Sequence, residues 1–417
     1  MIVEVPYGQH GKTSVDLPEE RLAGVIEPRR VDIGDESETI RRAVDNPTGS
    51  KNFSEFLSDA RDVLILVNDA TRPTPTSRVL DILVSDLEGR KVSFMVATGN
   101  HRAPSQEEYR RIFGTHYDRY KDRIFAHDAK KKDDMVLLGK SANGTEMRVN
   151  KMGVEAHKIV IISSVEPHYF AGYTGGRKSF LPGIAGHDTI TQNHKLALSP
   201  KARALALAGN PVHEDMIDAL STVKKEIFAI NTVLDGRHRI YAAVAGDIHA
   251  SFEQATSKAD EVFTVPIEAK VDIVVSVVKF PGDINLYQSQ KGIDNAKHAL
   301  REGGIMILVS SCREGIGEDT FFELLGSAGS PDEVLAKIEQ GYVLGYHKAA
   351  KMAEIGRWAK IWAVTDLDPG LLEKIFIRSC GSLQQAVDDA LFEKGESARV
   401  LFLLDGGLIV PCLEEKS

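Results

Sequence analysis

Cysteine is scarce in this chain: three residues in 417, at Cys312, Cys380 and Cys412, too few and too scattered for a disulfide framework or a cysteine-based zinc site. A reducing compartment is expected, with the cytoplasm as the location. Long apolar runs are missing as well, and none reaches the ~20 residues that cross a bilayer, so no membrane partner is expected. The opening stretch MIVEVPYGQHGKTSVDLP alternates as strand, Gly-rich turn and strand, without the basic and apolar blocks of a secretory signal. Nor is positive charge in excess. The 51 Lys and Arg stand against 60 Asp and Glu, a formal −9, which argues against nucleic acid as a partner. Any anionic ligand must then be met by a local cluster of cations.

At this length two domains are expected rather than one core. The pattern along the chain is α/β. DVLILVND reads as a buried parallel strand, PTSRVLDILVSDLEG as a helix from Pro75 to a stop at Gly89, and KVSFMVATGNH as another buried strand. SQEEYRRIFG opens with a capping box from Ser105 to Glu108. SANGTEMRV reads as a hairpin whose Asn143-Gly144 pair suits a type I′ turn, and HKIVIISSV as a further strand. A second strand-helix-strand pattern starts at AKVDIVVSVV. The expectation is two α/β domains with largely parallel, Rossmann-like sheets and an active-site cleft between them. The N-terminal domain is placed at 1–265, with a boundary near Pro266, and the C-terminal domain at 266–389. The apolar strand region 390–417 is left open to complete either one.

In open α/β sheets ligands bind beyond the carboxyl ends of the strands, and three such ends carry reactive side chains. NDATRPTP (68–75) offers Arg72 to a carboxylate or phosphate with Asp69 beside it, against the plainer reading of a solvated turn. TGNHR (98–102) places His101 just past a strand, fit for acid/base work or for a structural role. In EPHYFAGYTGGRKSFLPGIAGHDTITQNH, His168 and His194 flank GYTGGRKS. That loop falls short of a nucleotide-binding P-loop, because the glycine required before Lys178 is Arg177. What remains is Gly175 and Gly176 offering backbone N–H groups, with Arg177, Lys178 and Ser179 beside them, suited to a phosphate or to covalent attachment at Lys178. NLYQSQKG (285–292) sets Tyr287, Gln288 and Lys291 at a helix start where a carboxylate would be met. His127, His213, His249 and His347 have no comparable context and read as structural or exposed.

Taken in order, VPYG, DATRPTP, TGNHR, EPHYFAGYTGGRKSFLPGIAG, QNH and YQSQKG resemble the nickel-dependent lactate racemase family over most of the chain. The resemblance implies a nickel-pincer nucleotide, a pyridinium-3-thioamide-5-thiocarboxylic acid mononucleotide, tethered to a lysine and made by separate biosynthesis proteins. On this sequence Lys178 would be the tether and His194 the protein ligand to nickel, with Gly175, Gly176, Arg177, Ser179 and Asp69 around the cofactor. His101 and His168 would be the acid/base pair. Arg72, Tyr287, Gln288, Lys291 and Phe170 would surround a small anionic 2-hydroxy acid. Two departures are visible. Asn100 stands before His101 at a position expected to vary, and Phe170 replaces a smaller aliphatic residue near the substrate.

The implied reaction inverts C2 of the hydroxy acid, lactate by default. One histidine would take the hydroxyl proton as hydride moves from C2 to the cofactor pyridinium, and after the keto acid presents its other face hydride would return to C2 while the opposite histidine restores the proton. A non-catalytic nucleotide- or nickel-binding protein and a zinc-dependent hydrolase using the same histidines are the competing readings.

Overall fold

The computed structural model describes residues 1–414, which divide into two compact units, Arg30–Val262 and the pair of segments Met1–Arg29 with Phe263–Ser417. Each is built on its own six-stranded sheet.

In the unit Arg30–Val262 the sheet runs in the order Ile240–Gly246, Glu226–Leu234, Lys158–Ser164, Asp62–Asn68, Lys91–Ala97, Ile124–Ala126. All pairings are parallel except that of the first two strands. The central strands are continuous apolar runs because helices cover both faces. Val63, Ile65 and Val67 pack with Phe94, Val160, Phe228 and the helix residues Val79, Leu80 and Leu83 in one buried cluster. The helix Thr76–Leu87 and the Ser105–Glu108 capping box form as the sequence indicates. Strand order reverses between Asp62–Asn68 and Lys158–Ser164. The first, with its two successors, fills one side of the sheet, and the later strand starts the other. That is the topological switch point, where loops diverge and leave a crevice.

The Asn143-Gly144 turn differs from expectation. Gly144 N–H bonds to the Ser141 carbonyl at 2.8 Å and Ser141 N–H to the Thr145 carbonyl at 3.0 Å. The turn therefore centres on Ala142 and Asn143, and Gly144 alone takes a positive φ, 82°. A type I′ turn needs positive φ at both central residues. Here the Asp215 and Asp218 carboxylates hold Ser141 Oγ and Ala142 N–H and fix the longer loop.

In the other unit the strands Ile377–Ser379, Lys360–Val364, Leu300–Val309, Val271–Val277, Val400–Leu403 and Leu22–Ile26 form a wholly parallel sheet in that order. The N-terminal hairpin Ile2–Tyr7/Gly11–Asp16 contributes Val3, Val5, Val15 and Leu17 to the core of Ile273, Val275, Ile307, Leu383 and Phe402. The placement of 1–29 in an N-terminal domain is thus corrected. Leu22–Ile26 finds its ladder on Val400–Leu403, and the hairpin buries its apolar face there. The described part of 390–417 stays in this same unit, its last strand, Val410–Leu413, pairing with Thr264–Ile267.

A polypeptide of Arg30–Val262 is expected to unfold as one cooperative transition. In a polypeptide of 1–265 the first 29 residues, deprived of Val400–Leu403, are expected to be cut rapidly by protease while the rest resists. Protection of 1–29 in that fragment overturns the assignment.

Candidate active site

Three loops leave the carboxyl ends of parallel strands in the unit Arg30–Val262, and hydroxyls and amides tie them together at the switch point. Asn68 Oδ1 accepts from Thr74 Oγ1 at 2.8 Å and from Ser164 N–H at 3.3 Å. The hydroxyls of Thr74 and Ser164 lie 2.9 Å apart.

Asp69 is buried. It accepts from Thr71 N–H at 3.1 Å and Thr71 Oγ at 2.7 Å, and its second oxygen lies 2.7 Å from His101 Nδ1. Burial works against its negative charge, but His101, the Thr71 hydroxyl and Arg72 outweigh burial and hold the carboxyl below its usual range. A carboxylate on Nδ1 fixes the ring and directs Nε2 outward, and the His101 side chain is 41% exposed against 8% for Asp69. The turn that delivers His101 depends on Gly99, at φ 57°, whose N–H bonds to the Gly183 carbonyl at 2.9 Å.

Arg72 Nη1 donates to Glu166 Oε1 at 2.9 Å. Glu166 is held by Thr174, which accepts the Glu166 N–H at 3.0 Å and donates its own N–H to the Glu166 carbonyl at 2.9 Å. Sequence reasoning passed over Glu166, although its place two residues before His168 was a usable signal.

The Gly-rich loop is organised differently from the sequence expectation. Arg177 is buried and its guanidinium is spent within the protein. Nε donates to His213 Nδ1 at 3.0 Å, Nη2 to the carbonyls of Ala171 and Tyr173 at 2.8 and 3.0 Å, and Nη1 to those of Thr174 and Gly175 at 3.5 and 3.3 Å. Its plane covers the Phe252 ring at 4.1 Å. Gly176 N–H goes to Asn231 Oδ1 and Ser163 Oγ. Gly175 at φ 86° sits so close that a Cβ would fall 2.5 Å from Val165 Cγ2. These residues therefore build the loop; the Gly176 amide and the Arg177 fork are not open donors for a phosphate. Burial, with the Arg177 charge and His249, pushes His213 down to about 3. It is thus a neutral acceptor for Arg177 rather than an incidental histidine. Ser179 is buried in the same turn.

Held this way, the loop sets Lys178 Nζ 3.4 Å from His168 Nε2, while His168 Nδ1 accepts from Ala171 N–H at 3.3 Å. Phe170 is the common neighbour. Its ring centre lies 4.5 Å from the His168 ring, 5.0 Å from the His194 ring and 5.4 Å from Lys178 Nζ. His194 comes from the last turn of the helix His187–Lys195. The preceding Asn193 anchors that helix by donating to Asp215 Oδ2 at 2.8 Å and to the Val212 carbonyl at 3.2 Å. The structure thus joins Asp69 to His101 and Arg72 to Glu166, and gathers His168, Lys178 and His194 around Phe170.

Tyr287, Gln288 and Lys291 lie on the helix Leu286–Ala296 of the other unit, capped by Asn285 Oδ1 on Gln288 N–H at 2.9 Å. Lys348 Nζ sits 3.8 Å from the centre of the Tyr287 ring and donates to the Tyr287 carbonyl. Burial and the charge of Glu318 raise the Tyr287 phenol.

Models of the lactate racemase N-terminal and C-terminal domains match residues 7–205 and 267–410. The chain is 31% identical over 424 residues to the lactate racemase of Lactiplantibacillus plantarum, covering 98% of this chain and 99% of that one. It is 32% identical over 346 residues to that of Thermoanaerobacterium thermosaccharolyticum, covering 81% and 80%. The lactate racemase apoprotein structure from the latter organism superposes with a TM-score of 0.91 at 29% identity, over 99% of this chain and all of that one. A Thermotoga maritima protein shares the fold, with a TM-score of 0.72 at 17% identity, over 91% of this chain and 99% of that one. The chain belongs to the lactate racemase family. It is accordingly an isomerase, a racemase.

His213 is kept neutral by the fold, whereas an unfolded histidine titrates near 6.5. Below about pH 6.5 the unfolded chain binds a proton that the folded chain refuses, so His213 makes stability fall on acidification. His213→Asn retains an acceptor for Arg177 and is expected to flatten the decline of the urea midpoint between pH 7 and pH 5. An unchanged slope counts against this account.

Proposed function

We propose that this racemase inverts C2 of a 2-hydroxy acid, lactate being the first substrate to try, with His101 and His168 moving the hydroxyl proton. The observation that carries the reading is the pair of histidines on the strand-end loops either side of Asp62–Asn68, each with Nδ1 engaged. Asp69 on Nδ1 holds the neutral His101 ring in the tautomer that leaves the lone pair on Nε2. The Ala171 N–H does the opposite for His168, because an N–H at Nδ1 requires a lone pair there and leaves the proton on Nε2. Arg72 is assigned to the substrate carboxylate, which both enantiomers share.

Lys178 and His194 fit a tethered metal-organic group. A lysine amine forms an amide-type link, imidazole is a good nickel ligand, and the two side chains flank one aromatic ring, Phe170. Among the described residues no group of three or more His, Cys, Asp or Glu side chains is placed to hold a metal ion, which favours a metal whose remaining ligands are not protein side chains over a three-ligand zinc hydrolase site. When bound, a nickel-pincer nucleotide supplies a reversible hydride acceptor, which avoids forming a carbanion beside a carboxylate. The chain's part is to orient the hydroxy acid, move its hydroxyl proton and limit water near the reacting carbon. Loading would depend on separate enzymes that build the group.

Protein made in a host with those enzymes is expected to carry a mass increment on Lys178 with stoichiometric nickel, and to convert either lactate enantiomer to the mixture. Lys178→Ala is expected to lose the increment. His194→Ala is expected to keep the organic mass and lose most nickel. Full nickel in both variants sinks the assignment, and a loaded protein that leaves every 2-hydroxy acid optically unchanged sinks the reaction.

A further inference from the structure

We propose that Glu166 is a positioning residue that sets the orientation and strength of Arg72 toward the substrate carboxylate; this rests on the role given to Arg72 above. The two side chains come from opposite sides of the switch point, Arg72 from the loop after Asp62–Asn68 and Glu166 from the loop after Lys158–Ser164. Their 2.9 Å contact is shielded, with 21% of the Arg72 side chain and 4% of the Glu166 side chain exposed. Glu166 is the fixed partner. Thr174 clamps its backbone on both sides, and the Thr174 hydroxyl also donates to the Ser164 carbonyl at 3.0 Å. Among the described residues the backbone of Arg72 has one anchor, its N–H to the Asp69 carbonyl at 3.2 Å, before the side chain extends.

A guanidinium has five N–H donors in a planar fork. Glu166 takes one, and among the described residues no other acceptor receives an Arg72 side-chain hydrogen. The remaining donors suffice for a two-point grip on a carboxylate, in a plane that Glu166 fixes. Charge adds a second effect. A largely desolvated arginine without a counter-ion would hold any carboxylate tightly, but tight binding shared by substrate, transition state and product does not raise turnover. An enzyme whose substrate and product differ only in handedness gains from a grip strong enough to orient and weak enough to release. Glu166 supplies that moderation, because its negative charge offsets Arg72 whenever the substrate leaves.

A merely structural ion pair would behave differently in two variants. Glu166→Gln keeps an acceptor for Arg72 and removes the charge, so the KM for lactate of the loaded enzyme is expected to fall about 3- to 10-fold, with kcat equal or lower. Glu166→Ala removes the partner, and KM is expected to rise about 10-fold or more. Lys178-bound mass, nickel content and melting temperature are expected to match the wild type in Glu166→Gln. Binding of propionate, a carboxylate without the reacting hydroxyl, to unloaded protein is read by saturation-transfer NMR. It is expected to strengthen in Glu166→Gln, weaken in Glu166→Ala and vanish in Arg72→Ala. Wild-type KM and propionate signal in both Glu166 variants overturn the proposal, as does a parallel loss of nickel and melting temperature in both. If loaded wild type racemises nothing, the proposed reaction falls, while the propionate series still decides the relation between Glu166 and Arg72.

Discussion

A single buried guanidinium holds the reactive loop in place. Arg177 is wrapped by carbonyls of its own loop, those of Ala171, Tyr173, Thr174 and Gly175, so it acts as the internal template around which 171–178 is wound. Carbonyls that face inward in a tight loop need donors, and the four Nη hydrogens meet that need without water while Nε–H goes to His213. The charge is tolerated because the carbonyl dipoles, the face of Phe252 and the neutral ring of His213 all present electron density to it. Lys178 follows directly in the chain, so its direction is inherited from its neighbour.

Around that template the sheet supplies position and the loops supply chemistry. Reversal of strand order at the switch point opens room between Asp62–Asn68 and Lys158–Ser164, and short polar residues, Asn68, Thr74 and Ser164, fix the two lips by mutual hydrogen bonds. Two buried carboxylates then serve different partners. Asp69 stands behind an imidazole and Glu166 behind a guanidinium, and in each case the acid is the better buried member and the base the more exposed one. An anion set behind an imidazole or a guanidinium fixes the direction in which that group points.

Much of the fold was legible in the sequence because buried parallel strands declare themselves as apolar runs and helices as capped periodic segments. DVLILVN, KVSFMVA, KIVIISS and the Ser105–Glu108 box needed no tertiary information. The N-terminal residues misled for a physical reason: a strand's partner is not written beside it, and Leu22–Ile26 pairs with residues near the opposite end of the chain. Asn143-Gly144 misled because a local propensity yielded to Asp215 and Asp218, which come from a distant helix. In the site, residue types and order point to Asp69, Arg72, His101, His168, Lys178 and His194 as candidates, and the fold pairs Asp69 with His101 and gathers His168, Lys178 and His194 around Phe170. Type and order did not separate residues that face a ligand from residues that build the loop. Arg177, Gly176 and His213 sorted themselves only through contacts 36 to 55 positions apart along the chain, and Glu166 through one 94 positions away.

The pairing of Leu22–Ile26 with Val400–Leu403 also has a meaning in time. During synthesis the first of these strands leaves the ribosome long before its mate exists, a wait of roughly 20 to 75 seconds at ordinary elongation rates. The intervening segment Arg30–Val262 has every strand of its own sheet within it and is able to close while the chain is still growing. The hairpin that precedes it must hold Val3, Val5, Val15 and Leu17 in readiness, exposed to chaperones and proteases, until the last strands arrive. The order in which the residues are made therefore completes the unit Arg30–Val262 first, and the unit that joins Leu22–Ile26 to Val400–Leu403 last.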